Sequence, residues 1–140
     1  MENQIITGIS QKLFETFGAT YTIYTENVEQ YLRPPCFYIE LVQSSLQQII
    51  SRRYKSDNLF DIHFFTDQSE PKSDFRRVAD ILYDALEYIS VENDLMRGLN
   101  MHYEIVDDVL HFLVNYNFVS KKEAQTADKM ETLQTRSELA

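Results

Sequence analysis

The sequence predicts an α+β domain in which two main helices pack on one face of a mostly antiparallel sheet. Apolar residues recur at helical spacing in two stretches and alternate with polar residues in several others. Only three glycines and three prolines occur in 140 residues, so regular elements with short connections are expected. The helices and strands bury their apolar faces together if the helices cover one side of the sheet.

The first helix is expected over residues 3–17. Its apolar residues, from Ile5 to Phe17, recur at the spacing of one helix face, and Gly18 follows as a stop signal. The β-rich residues 21–24 then predict a short strand.

Three strands separated by two turns are expected in the middle of the chain. Alternation predicts strands over residues 36–43, 46–54 and 59–66. Turns are predicted at Ser44 and Ser45 and at the polar residues 55–58.

The second helix has the clearest apolar stripe in the chain. Ser73 or Asp74 is expected to cap its start, and residues 90–98 are expected to be a connection. The stripe consists of Phe75, Val78, Ala79, Leu82, Leu86 and Ile89.

A hairpin is expected near the end of the domain. Strands over residues 99–106 and 109–119 flank a tight turn at Asp107 and Asp108. The expected register pairs Val106 with Val109, Glu104 with His111, and His102 with Leu113. It also gathers Tyr103, Ile105, Leu110, Phe112 and Val114 on one core face.

The charge is uneven along the chain. The formal net charge is −9, but residues 121–140 carry four basic and four acidic residues. Residues 1–120 therefore hold the whole excess and are predicted to form one domain, with 121–140 a polar tail that is mobile or ordered by a partner. An acidic body repels phosphate, which argues against nonspecific nucleic-acid binding as the main role. Neither a signal peptide nor a membrane-spanning run is visible.

Candidate chemistry is sparse. The predicted register brings His102, Glu104 and His111 to one sheet face, where two imidazoles and a carboxylate can bind a divalent metal. A solvated cross-strand Glu–His pair explains the same residues and is favoured. Cys36, the one cysteine, is expected to be a small buried residue. No phosphate loop or hydrolase elbow is present, so we expect neither enzymatic activity nor a cofactor.

Two charged surfaces have no catalytic explanation. Residues 52–55 form a basic cluster, which fits equally a contact patch for an acidic partner or a phosphate and a charged strand end that discourages edge pairing. An acidic set is expected on the second helix. Head-to-tail contacts between subunits require two different, matching patches, so these two are expected to meet between neighbouring copies. The basic cluster is Arg52, Arg53, Tyr54 and Lys55, and the acidic set is Asp80, Asp84 and Glu87.

Several stretches, taken in order, resemble a known family. They are residues 21–30, 35–41, 53–54, 60–64, 79–88, 101–112 and 114–116. Their order and spacing are similar to those of the tail terminator, or tail completion, proteins from phages and prophages of Gram-positive bacteria.

The resemblance implies a non-enzymatic structural protein of the virion tail, assembled in the cytoplasm of the host bacterium. Such proteins form a ring, typically a hexamer, although some are monomers until they meet the tail tube. The ring ends tube polymerisation and offers a surface to the head connector, while DNA passes through its lumen without specific binding. Another neck or head-closure protein is the alternative, and a metal or small-ligand binding protein is a more distant one.

Overall fold

The computed structural model of the protein describes residues 1–26 and 32–121. Its elements are α1 (Glu2–Phe17), β1 (Thr22–Tyr24), β2 (Cys36–Ile50), β3 (Arg53–Phe65), α2 (Pro71–Ala85), β4 (Tyr88–Val91), β5 (Asp94–Val106) and β6 (Val109–Lys121). The strands form one sheet in the order β1-β2-β3-β6-β5-β4. The α+β class is confirmed. The tail predicted over 121–140 lies outside the described residues except for Lys121, so the boundary at residue 120 stays a prediction.

The sheet is mixed but mostly antiparallel. β1 runs parallel to β2, whereas β4 and β5, and β5 and β6, are antiparallel pairs. α1 contacts β4, β1 and α2, and α2 contacts β5. The packing of both helices on one face stays a prediction.

The first helix agrees with its prediction. Gly18 ends α1 with a φ of 85°, a left-handed conformation that glycine adopts without strain. Gly8 is buried inside the helix, and a side chain there would meet the backbone oxygen of Ser90 at 2.6 Å. Because residue 8 has no Cβ, the backbone of α1 can approach the backbone of β4 this closely.

The middle of the chain differs from its prediction. β2 continues through Ser44 and Ser45, and the predicted turns there and at residues 55–58 are wrong. The two strands meet instead at Ser51, whose φ is 50°. The polar side chains have partners within the sheet: Ser44 Oγ donates to Asn58 Oδ1 at 2.9 Å. Cross-strand pairing thus overrides a local turn preference.

The second helix begins earlier than predicted. Glu70 is its N-cap and Pro71 takes the first helical position, where proline's missing N–H costs nothing. Asp74 therefore lies within the first turn, and the predicted cap at Ser73 or Asp74 is wrong. Asp74 is buried, accepts hydrogen bonds from Arg77, and bonds to Thr66.

The predicted connection over residues 90–98 is also wrong. β4 and β5 form a hairpin there, pairing Val91 with Asp94. Its turn residues, Glu92 and Asn93, both have positive φ. The backbone of Gly98 on β5 lies close to the backbone of Leu86. A Cβ at residue 98 would lie 2.5 Å from the backbone oxygen of Leu86.

The β5–β6 hairpin confirms the predicted register. Val106 pairs with Val109, Glu104 with His111, and His102 with Leu113. Asp107 and Asp108 have φ values of 51° and 59°, as a tight hairpin turn of the right twist requires. Of the predicted core face, Leu110, Phe112 and Val114 are fully buried, Tyr103 is half-buried, and Ile105 is 40% exposed.

The core joins both helices to the sheet. Its fully buried side chains include Ile5, Ile9, Leu13, Phe37, Phe60, Ile62, Phe64, Val78, Leu82, Leu86, Leu110, Phe112, Val114 and Tyr116. None of the helices in the described part of the chain is long and apolar enough to cross a membrane.

Candidate functional site

The predicted metal residues do not all converge. Glu104 lies opposite His111 on neighbouring strands, as expected. The ring of His111, however, is directed to β3, where its Nδ1 lies 2.9 Å from Asp61 Oδ2. The Nδ1 of His102 lies 3.0 Å from the backbone oxygen of Asn100. The structure therefore groups His111 with Asp61 rather than with His102.

A polar cluster occupies three neighbouring strands, β2, β3 and β6. Asp61, His63 and His111 place one ligand atom each within 4.8 Å of one another. His63 Nε2 lies 3.4 Å from Asp61 Oδ2 and 3.0 Å from Glu40 Oε1. Asp61, His63 and His111 are 14%, 15% and 22% exposed in their side chains. The cluster is thus half-buried and holds two carboxylates and two imidazoles.

The cluster follows from strand alternation. On β3, Phe60, Ile62 and Phe64 are fully buried, so Asp61 and His63 project from the opposite face. On β6, Leu110 and Phe112 are buried and His111 projects to the same side as the β3 pair. The alternation with Phe60, Ile62 and Phe64 is enough to assign His63 to the outer face, but no pattern in the sequence pairs β3 with β6, so the cluster is not apparent from the sequence.

Aromatic rings enclose part of this cluster. The ring centroid of Tyr38 lies 5.0 Å from that of His63, and the centroid of Phe65 lies 6.4 Å from it. The rings of His63 and His111 are 4.5 Å apart and inclined at 61°. These neighbours limit the directions in which His63 can turn.

The basic cluster lies at the turn between β2 and β3. Arg52, Arg53 and Lys55 are exposed, and Tyr54 is half-buried. These positions leave the guanidinium groups accessible to another molecule.

The predicted acidic set divides into two parts. Asp80 and Asp84 are exposed on α2. Glu87 lies beyond the end of the helix, and its Oε2 is 3.8 Å from Arg97. Its charge is partly satisfied within the chain.

Exposed aliphatic residues mark the second half of β2. Every residue from 42 to 50 is exposed, although β2 begins with buried Cys36 and Phe37. Val42 is 50% exposed, Leu46 and Ile49 are each 55% exposed, and Ile50 is 66% exposed. The alternation in the sequence indicated a strand here and gave no sign that neither face is covered.

Groups suited to nucleophilic catalysis are poorly placed. Cys36 is buried, and that burial raises the pKa of its thiol. A groove of about 670 Å³ between α1 and β1 offers one carboxylate, Glu15, beside hydroxyls such as those of Ser10 and Tyr21.

Comparison with known proteins identifies the family. Residues 4–128 match the model of a family described as phage tail terminator protein. No curated protein matches the chain. One solved structure shares 11% identity, with 88% of this chain and 96% of that chain covered, at a TM-score of 0.42. The family match covers most of the sequence, and the chain therefore belongs to the phage tail terminator protein family.

Proposed function

We propose that this chain forms a closed ring, typically a hexamer, at the head-proximal end of the tail tube of a phage or prophage of a Gram-positive bacterium. Membership of the family makes it a structural protein of the virion tail. The ring ends tube polymerisation and offers its other side to the head connector. The observation that carries this proposal is the second half of β2, whose aliphatic side chains are exposed.

The exposed aliphatic residues supply a driving force for association. Val42, Leu46, Ile49 and Ile50 lie within nine residues of one strand and are each at least half exposed. Full burial of one such side chain contributes about 1.5–3 kcal/mol. Val42, Leu46 and Ile50 share one face of β2 by strand alternation, and exposed apolar side chains grouped in this way are typical of an interaction site. A second copy of this chain is the occupant we propose.

The two charged patches would set the orientation in which neighbouring copies associate. The basic cluster, with Arg52 and Arg53, is exposed, and so are Asp80 and Asp84 on α2. Two patches of opposite charge at different places on one chain favour a head-to-tail contact, which closes into a ring when the rotation permits. Glu87 contributes less, because it already pairs with Arg97.

The net charge suits a lumen that conducts DNA. The chain carries −9 overall, and an acidic wall repels phosphate rather than binding it. DNA passes through such a ring without specific contacts. Assembly takes place in the cytoplasm of the host.

Charge reversal tests the ring directly. The double variant Arg52→Glu with Arg53→Glu should fail to cap purified tail tubes, and tubes assembled with it should have unregulated lengths in negative-stain images. Arg33→Glu with Lys72→Glu changes the net charge equally at two other exposed positions and should cap normally. Normal tube lengths with the Arg52 and Arg53 variant would refute the charged contact.

Replacing the exposed aliphatic residues of β2 tests whether they form the contact between copies. Ile49→Ser with Ile50→Ser should leave the chain folded, because both side chains are exposed in the single chain. Its rings on tail tubes should be lost or much reduced. Unaltered rings would remove the basis of the proposal.

A further inference from the structure

We propose that Asp61, His63 and His111, with Glu40 as a fourth ligand, bind a divalent transition metal, for which Zn²⁺ is the probe. The three strands that carry these residues are neighbours in the sheet, with β3 in the middle. A metal at this place would cross-link β2, β3 and β6 on the face opposite Phe60 and Ile62.

The distances between the ligand atoms suit a small metal. Zinc binds imidazole nitrogen and carboxylate oxygen at about 2.0–2.2 Å, so tetrahedral ligand atoms lie roughly 3.3 Å apart. His111 Nδ1 and Asp61 Oδ2 are 2.9 Å apart, and His63 Nε2 is 3.4 Å from the same oxygen. His63 Nε2 is also 3.0 Å from Glu40 Oε1. The ligand atoms of Asp61, His63 and His111 lie within 4.8 Å of one another, so small side-chain movements would bring these three to one ion. Glu40, whose side chain is 45% exposed and already contacts His63, would turn inward to complete the set.

The charges and the hydrogen bonds support the same assignment. Two carboxylates and two neutral imidazoles around a doubly charged cation make a neutral site. Asp61 Oδ1 is buried and has no hydrogen-bond partner among the described residues. A buried carboxylate oxygen without a donor is costly, and a bound cation beside Asp61 would offset that cost. Two nitrogen and two oxygen ligands suit zinc and its neighbours better than magnesium or calcium, which take oxygen ligands.

A hydrogen-bonded network alone is the competing explanation. In it, each imidazole donates to a carboxylate and no metal is needed. The two explanations differ in whether the purified chain binds zinc and in which histidines that binding requires.

Zinc titration of the chelator-treated full chain, followed by calorimetry, distinguishes them. One zinc per chain should bind, and zinc should raise the melting temperature. His63→Ala or His111→Ala should each lower the affinity at least about 10-fold, since even loss of a supporting residue around a metal has effects of that size. His102→Ala removes the third histidine, which lies outside the cluster. This variant should bind zinc with the same affinity as the unaltered chain. Magnesium in large excess should not compete.

Two more conservative variants keep the test decisive if the alanine variants fail to fold. Glu40→Gln and Asp61→Asn keep the size of each side chain and remove its charge, and each should weaken zinc binding. Cobalt in place of zinc should give visible absorption that is lost in these variants. Absence of zinc binding would overturn the proposal, as would binding that depends on His102 or Glu104 but not on His63. The measurement is made on the chain without tail tubes, so its outcome does not depend on ring formation.

Discussion

Strands β2 and β6 are both long and both take part in two-residue hairpins, but their surroundings differ. β6 alternates between buried and half-buried residues from Leu110 to Tyr116. β2 is buried at Cys36, Phe37 and Ile39 and then exposed at every residue from 42 to 50. The amino-acid types are similar, with leucine, isoleucine or valine on each. β6 completes the core of the chain, whereas the second half of β2 leaves its apolar side chains exposed, as the proposed contact with a second copy requires.

The largest expected effect comes from a matched pair of truncations. Leu110 on β6 is fully buried, and Leu46 on β2 is 55% exposed. Leu110→Ala should lower the free energy of unfolding by about 2–5 kcal/mol, because it leaves a cavity in a packed core. Leu46→Ala should change it by less than about 0.5 kcal/mol. Urea unfolding of both variants measures the difference.

The same pair should behave in the opposite way in assembly. Leu46→Ala is expected to weaken ring formation on tail tubes while stability is unaltered. Equal losses of stability in the two variants would mean that the second half of β2 is already covered within the single chain, and the comparison between the strands would fail.

A smaller effect is expected at Tyr116, a fully buried residue of β6. Its hydroxyl donates a 2.6 Å hydrogen bond to the backbone oxygen of Leu86. Tyr116→Phe should reduce the free energy of unfolding by about 1–2 kcal/mol, because the buried carbonyl loses its donor. Tyr88→Phe, on an exposed tyrosine of β4, is the control and should have little effect. Thermal and urea unfolding provide the measurement.

Tyr116 also predicts a pH dependence. Burial raises the pKa of its phenol far above the ordinary value. An unfolded tyrosine loses its proton near pH ~10, so the unfolded state then binds fewer protons than the folded state. The stability contributed by Tyr116 is therefore complete below about pH 10 and falls as the pH rises further. Tyr116→Phe should show a shallower loss of stability above that pH, and equal slopes would contradict the assignment.

Whether an element could be predicted correctly depends on how far apart in sequence its contacting residues are. The β5–β6 register could be predicted to the residue, because a two-residue turn and local alternation determine it together. The β2–β3 turn was misplaced, since polar residues such as Ser44 and Asn58 are partners across the sheet and not turn formers.

The polar cluster illustrates the same limit. His111 was identified as a candidate ligand from the hairpin alone. Asp61 and His63 come from β3, and Asp61, which contacts His111, lies 50 residues before it in the sequence. No local pattern indicates that β3 is the neighbour of β6, so the cluster appears only once the strand order is known.

The smallest expected effects lie in two of the hairpin turns, β5–β6 and β2–β3. In the β5–β6 turn both aspartates have positive φ, and in the β2–β3 turn Ser51 has a φ of 50°. Aspartate tolerates this conformation better than serine, and glycine tolerates it best. Asp108→Gly should therefore raise the free energy of global unfolding by up to about 0.5 kcal/mol, whereas Ser51→Gly should stabilise the β2–β3 turn locally by about 0.5–1 kcal/mol.

Ser51→Ala is the matched control, because alanine keeps the Cβ that causes the strain and should not stabilise. Hydrogen exchange adds the decisive measurement. If the second half of β2 opens separately from the core, Ser51→Gly should slow exchange in residues 42–50 while global unfolding barely changes. Asp108→Gly should act on global unfolding instead, since its hairpin contains the buried part of β6. Identical effects from the two turns would show that both strands belong to one cooperative unit, and that exposure on β2 does not weaken its link to the core.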